Sequence, residues 1–199
     1  MGRNGVGKTT LIKNIMGLER CTSGSIHMEK LDLTTMSAYK RTRAGLALVP
    51  QGRMIFPKLT VEENLRVGLQ ARRDGRRSLP DDIDQLFPIL KTMARRKGGD
   101  LSGGQQQQLA IARAMVGDPK VMLLDEPTEG IQPNVIQQIG RLLHELIERR
   151  RMTIVLVEQY VDFVKEFGHH FYVMNRGTVV SHGTTDQLSS EIIHRHLSV

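Results

Sequence analysis

The chain has 199 residues, 39% hydrophobic and 25% charged, with a formal net charge of 28 − 21 = +7. These proportions suit one soluble globular domain with a substantial core, and no apolar run is long enough to span a bilayer. The polar, glycine-rich start is unlike a signal peptide, the single cysteine (Cys21) excludes an internal disulfide, and an aromatic content of 4% argues against a stacking platform for single-stranded nucleic acid.

The first element is a loop. Gly2 to Thr9 reads Gly-Arg-Asn-Gly-Val-Gly-Lys-Thr and fits the pattern G-x-x-x-x-G-K-[ST]. Gly2, Asn4, Gly5 and Gly7 let the backbone wrap so that its N–H groups point at phosphate oxygens. The following helix adds its positive N-terminal end. Lys8 is expected to reach the β- and γ-phosphates of a nucleotide, the Thr9 hydroxyl to sit on Mg²⁺, and Thr10 to donate to the α-phosphate. Leu11, Ile12, Ile15 and Met16 recur at helical spacing, and Gly17 can end the helix. A buried strand normally feeds such a loop, and none lies upstream of Gly2 in this sequence. The expectation is therefore that N-terminal strands are missing. It follows that a neighbouring strand has unpaired backbone groups, and that this chain alone is poorly stable and binds ATP weakly.

Short strands are predicted over 25–28 and 46–49, and a helix over 61–70 entered through Thr60. Residues 82–93 read as helical, although Pro88 interrupts the middle. Arginines and lysines cluster at Arg66, Arg72, Arg73, Arg76 and Arg77, then at Arg95, Arg96 and Lys97, and again at Arg149, Arg150 and Arg151. Such runs suit a solvated face, anionic headgroups, nucleic acid or phosphate ligands. Ser102 can cap a helix to about Val116, closed by Gly117 and Pro119. Val121 to Leu124 is uninterrupted and apolar, as in a strand buried on both faces. Pro133 opens a helix whose stripe is Val135, Ile136, Ile139, Leu142, Leu143, Leu146 and Ile147. Residues 153–157 form a further buried strand. Two strands flank Asn175-Arg176-Gly177 as a hairpin, and the tail from Thr185 to Leu197 reads as a helix. The alternation of strands and helices predicts an α/β domain with a mainly parallel sheet. The seven histidines form no convincing ligand set with cysteines or carboxylates.

Two further motifs carry chemistry. The strand at 121–124 ends in Asp125-Glu126, placed to hold Mg²⁺ and to orient or deprotonate an attacking water. Leu101-Ser102-Gly103-Gly104-Gln105 stands at a helix N-terminus, a second anion-binding position. Leu-Ser-Gly-Gly-Gln between a phosphate loop and an Asp-Glu strand resembles the ATP-binding-cassette ATPases, over nearly the whole chain and in the family's motif order.

That resemblance implies a P-loop NTPase (RecA-like) core from 1–52 and 106–199, with an inserted helical subdomain over 53–105 ending in the signature motif. It implies ATP and Mg²⁺ as ligands. It also implies a head-to-tail dimer in which Ser102, Gly103, Gly104 and Gln105 cover the nucleotide of a second ATPase subunit. Gln51 matches the family's glutamine loop, which senses Mg²⁺ and contacts a transmembrane permease. Gln132 stands where most members have aspartate, and Gln159 where a histidine usually contacts the γ-phosphate. An amide there still hydrogen-bonds a phosphate but carries no imidazolium charge. Both departures, with the strings at 50–57, 128–133 and 157–163, look like the ATPases of urea and branched-chain amino acid importers. The implied setting is the cytoplasmic face of a bacterial inner membrane, with a periplasmic solute-binding protein as indirect partner and no nucleic acid. Two alternatives stay open at this point: a soluble cassette ATPase acting on ribosomes or DNA, and a non-catalytic fragment.

Overall fold

The computed structural model describes residues 1–197. The loop Gly2–Gly7 runs into α1 (Lys8–Met16), which turns Ile12 and Met16 to the core and ends at Gly17 in a left-handed cap. Two short antiparallel strands follow, β1 (His27–Met28) and β2 (Leu31–Asp32). They replace the single strand expected over 25–28. Next comes α2 (Ala38–Ala44), capped by the Ser37 hydroxyl, and then β3 (Leu46–Val49). Hydrophobic periodicity misses α2, because seven residues make only two turns and the buried side chain on it is a charged one, Arg41.

α3 (Val61–Gly68) starts as expected at Thr60, with a reciprocal capping box. The Thr60 hydroxyl accepts from the Glu63 N–H at 3.2 Å, and the Glu63 carboxylate accepts from the Thr60 N–H at 2.7 Å. Thr60→Ala is expected to lower stability by about 1 kcal/mol in urea denaturation. The helix predicted over 82–93 is two helices, α4 (Ile83–Leu86) and α5 (Pro88–Thr92). Pro88 excludes helical backbone at Phe87, which takes φ −131° and ψ 62° and buries its ring completely.

α6 (Gly103–Met115) begins at the Ser102 cap. It is followed by β4 (Val121–Asp125), α7 (Pro133–Arg150) and β5 (Thr153–Val157). A seven-residue helix that periodicity also misses, α8 (Val161–Phe167), leads to the hairpin β6 (His170–Asn175) and β7 (Thr178–Thr184). The predicted C-terminal helix is shorter than expected. A 3-10 turn at Thr185–Gln187 precedes α9 (Ser190–His196), capped by Ser189.

β3, β4 and β5 make a parallel sheet in that order. Central β4 buries Met122, Leu123 and Leu124, so both faces are apolar. Leu123, with Leu46 and Val157, packs toward Ile12 and Met16 of α1. Met122 and Leu124 pack toward α6, α7 and the helices α3 to α5, in one continuous cluster with Leu65, Phe87, Leu109 and Ile139. Among the described residues β5 is paired only along its β4 edge, and it is less buried than expected, with Thr153 and Val155 exposed. Met1 instead joins β6: its amino group donates to the Tyr172 carbonyl, and its carbonyl accepts from the Met174 N–H at 2.8 Å. These two bonds flank Val173, the pattern of a parallel pair.

Two arginines of the basic clusters, Arg72 and Arg150, are structural. Arg72 is buried and forks onto Asp74, while Arg43 donates to the Arg72 carbonyl at 2.6 Å. Arg150 on α7 forks onto Asp82, tying α7 to the approach of α4. No helix of the described residues is long and apolar enough to cross a membrane.

Candidate nucleotide site

The site lies where α1 begins and where β3, β4 and β5 end. Gly7 has φ 102° and is the N-cap of α1, whose first turn has neither a side-chain cap nor an acidic residue. Its leading N–H groups are thus aimed at the loop with no acidic residue on the turn itself to occupy them. Gly2 sits so close to β6 that a Cβ there would lie 2.6 Å from the Met174 carbonyl oxygen. The Gly177 N–H of the hairpin donates to the Val6 carbonyl at 2.9 Å, so β6–β7 holds the loop from outside.

Lys8 is only 5% exposed. Its ammonium donates to the Gly2 and Arg3 carbonyls at 2.7 and 2.9 Å and stands 3.6 Å from the Glu126 carboxylate. Asp125, the last residue of β4, is 4% exposed and has one oxygen without a hydrogen-bond partner. Burial pushes its carboxyl above the usual range, partly countered by the Thr9 hydroxyl, and the nearby Glu126 charge adds to the rise.

Glu126 gathers the other motifs. Gln159, after β5, donates to its Oε1 at 2.7 Å and to the Asn4 side chain at 2.6 Å. Gln51, after β3, donates to its Oε2 at 3.3 Å and to Glu129 at 2.9 Å. Glu126 itself has φ 49°, a left-handed conformation, and its N–H donates to the Val157 carbonyl at 2.9 Å. The loop residues Gly2, Asn4, Gly5, Gly7, Lys8, Thr9 and Thr10 therefore share one site with Gln51, Asp125, Glu126 and Gln159.

Ser102, Gly103, Gly104 and Gln105 are not brought to that site within this chain. Ser102 and Gln105 bond each other as a capping box, Gly103 lies against the Arg53 guanidinium, and Gly104 against Val135. Sequence reasoning missed Glu158, Thr128 and Glu129, which tie the segments after β4 and β5 together. A glutamate beside Gln159 looks like a surface residue, and nothing local announces its burial.

The profile of the family described as "ABC transporter" matches residues 1–129. The chain is an ABC transporter ATPase. Over 185 residues this cassette is 40% identical to the high-affinity branched-chain amino acid transport ATP-binding protein BraG of Pseudomonas aeruginosa, an alignment covering 92% of this chain and 79% of that one. It is 37% identical over 191 residues to the probable branched-chain amino acid transport ATP-binding protein LivF of Archaeoglobus fulgidus, covering 94% and 80%. Methionine import ATP-binding protein MetN of Vibrio cholerae is more distant, at 31% over 205 residues and 60% of its own length. The cassette also superimposes on the ADP conformation of MJ1267, an ATP-binding cassette of an ABC transporter, with a TM-score of 0.82 at 26% identity, over 98% of this chain and 84% of that one. Against the dimeric post-hydrolysis state of MJ0796 bound to ADP and Pi the TM-score is 0.80 at 26% identity, over 93% and 83%.

Proposed function

We propose that this ATPase powers an importer for branched-chain amino acids, urea or a related small amide, acting in a head-to-tail pair of cassettes beneath a membrane-embedded permease. The observation that carries the mechanism is the meeting of three motifs on one carboxylate: Gln51, Gln159 and Lys8 all contact Glu126. The amino acid transport relatives and the glutamine at 159 support the importer branch. In this reading residues 1–52 and 106–199 form the nucleotide-holding core and 53–105 the helical subdomain, and the chain works at the cytoplasmic face of the membrane. A periplasmic solute-binding protein contributes indirectly.

The donor set fits ATP with Mg²⁺. A buried carboxylate with an unpartnered oxygen (Asp125), a hydroxyl (Thr9) and an amide (Gln51) are the hard oxygen ligands that Mg²⁺ takes, and they would hold it. Bound there, the ion would neutralise phosphate charge. The Lys8 ammonium exchanges its two loop carbonyls for phosphate oxygens as the nucleotide enters. Glu126 releases one of its amide partners and takes a water, accepting its proton as the water attacks. Gln159 remains in hydrogen-bond reach of Glu126 and of Asn4 on the phosphate loop. Ser102, Gly103, Gly104 and Gln105 offer a capped helix start to the nucleotide of the partner cassette.

The test is ATP-dependent pairing. The full-length Glu126→Gln chain is expected to shift from monomer to dimer on adding ATP and Mg²⁺ in size-exclusion chromatography with light scattering. Adding Ser102→Arg to it is expected to abolish the shift. A dimer that forms equally well with Ser102→Arg would show that the signature segment does not cover a partner's nucleotide.

A further inference from the structure

Glu158 follows β5 directly and is 3% exposed. Its Oε1 accepts from the Thr128 N–H at 3.0 Å and from the Thr128 hydroxyl at 2.6 Å. Its Oε2 accepts from the N–H groups of Gln159 at 3.0 Å and Tyr160 at 3.3 Å. No Lys or Arg side chain forms an ion pair with it among the described residues, although a buried charge ordinarily needs one. Four neutral donors from two different segments hold it instead, and the Met1 ammonium acts on it only through space.

Those segments carry the chemistry. Thr128 stands two residues after Glu126, and Gln159 is the next residue after Glu158. The Glu126 N–H is already tied to the Val157 carbonyl. The stretch 126–129 is therefore held to the end of β5 at two points, by backbone at Glu126 and by the Glu158 carboxylate at Thr128. Gln51 holds the same stretch from β3 through Glu129. A carboxylate is suited to this place because it is acceptor-only on both oxygens, so it can satisfy all four donors at once. A glutamine there would turn an N–H₂ group toward two of them.

We propose that Glu158 is a positioning residue for hydrolysis: it locks the segment carrying Glu126 to the segment carrying Gln159, so that a phosphate contact at Gln159 fixes the place of Glu126. The proposal rests on the roles given above to Glu126 and Gln159. Burial of the carboxylate is needed for that rigidity, since a solvated glutamate would let either segment move alone.

The experiment uses the full-length chain in its transporter assembly, with three measurements on each variant: ATP turnover at saturation, nucleotide dissociation constant without hydrolysis, and melting temperature. Glu158→Gln is expected to lower turnover about 10- to 100-fold, the range that misplacing a catalytic group by about 1 Å gives. The nucleotide dissociation constant should stay within about threefold of the parent, since the loop and Lys8 are untouched. Thr128→Val deletes one of the four bonds and serves if Glu158→Gln does not fold. It should lower turnover in the same direction, and the double variant should be no worse than Glu158→Gln alone. A folded Glu158→Gln or Thr128→Val chain with a lower melting temperature but unchanged turnover would overturn the proposal, because that is what a merely structural residue does. If Glu126→Gln also leaves turnover unchanged, the assignment of Glu126 has failed, and the positioning role falls with it.

Discussion

Glu126→Gln is expected to lower ATP turnover by about 10²- to 10⁴-fold, the usual contribution of a positioned general base. The change keeps the shape of the side chain and removes its ability to take a proton. It also removes a negative charge 3.6 Å from the Lys8 ammonium and beside Asp125. Lys8 is then freer to face phosphate, and the Asp125 carboxyl, still raised by its burial, loses the smaller upward push of the Glu126 charge. Nucleotide affinity should therefore hold or tighten while turnover collapses. Phosphate release measured alongside a binding titration separates the two. Turnover within twofold of the parent would remove Glu126 from the reaction.

Arg41→Met should destabilise the chain by about 3–5 kcal/mol, comparable to breaking a buried ionic contact. Arg41 is 3% exposed, and its guanidinium spends its donors on four carbonyls. Nε donates to Met36 at 2.9 Å, Nη1 to Asn14 and Ile15 at 2.6 and 2.8 Å, and Nη2 to Thr34 at 3.0 Å. Asn14 and Ile15 belong to the last turn of α1, where carbonyls lack helical partners and the helix end is negative. A methionine has similar reach and withdraws the guanidinium from the part-buried Ile15, Thr34 and Met36 carbonyls, while Asn14 keeps the Gly17 N–H at 3.1 Å, each oxygen left without a donor being worth roughly 1–3 kcal/mol if water cannot enter. Urea denaturation checks this, and a loss below about 1 kcal/mol would mean that solvent takes over the contacts. Because α1 starts at the phosphate loop, an arginine on α2 thus helps to hold the nucleotide site from its far end.

The sequence made the reacting groups legible and left their supports hidden, for physical reasons. Gly2–Thr9, Asp125-Glu126 and Leu101–Gln105 are local strings whose spacing alone defines their chemistry. β4 was readable because a strand covered on both faces has no polar alternation, and β5 because its run 154–157 is wholly apolar, although the fold leaves Thr153 and Val155 exposed. α2 and α8 were not, since two turns show little periodicity. The single helix expected over 82–93 failed at Pro88, where steric exclusion at Phe87 outweighs the helical preference of the flanking residues. Arg41, Arg72 and Glu158 escaped for a shared reason. A charged side chain reads as solvated until the fold supplies carbonyls or N–H groups around it, and in each case one such partner comes from far along the chain: Asn14 for Arg41, Val116 for Arg72 and Thr128 for Glu158.

The left-handed backbone at Glu126 has an evolutionary consequence. A residue with a Cβ held at φ 49° costs about 1–3 kcal/mol that a glycine would not. The fold nevertheless keeps it there through the Val157 carbonyl and the bonds around Thr128. Selection for stability alone would favour glycine at 126, so under the proposed mechanism the glutamate is a place where robustness is traded for turnover.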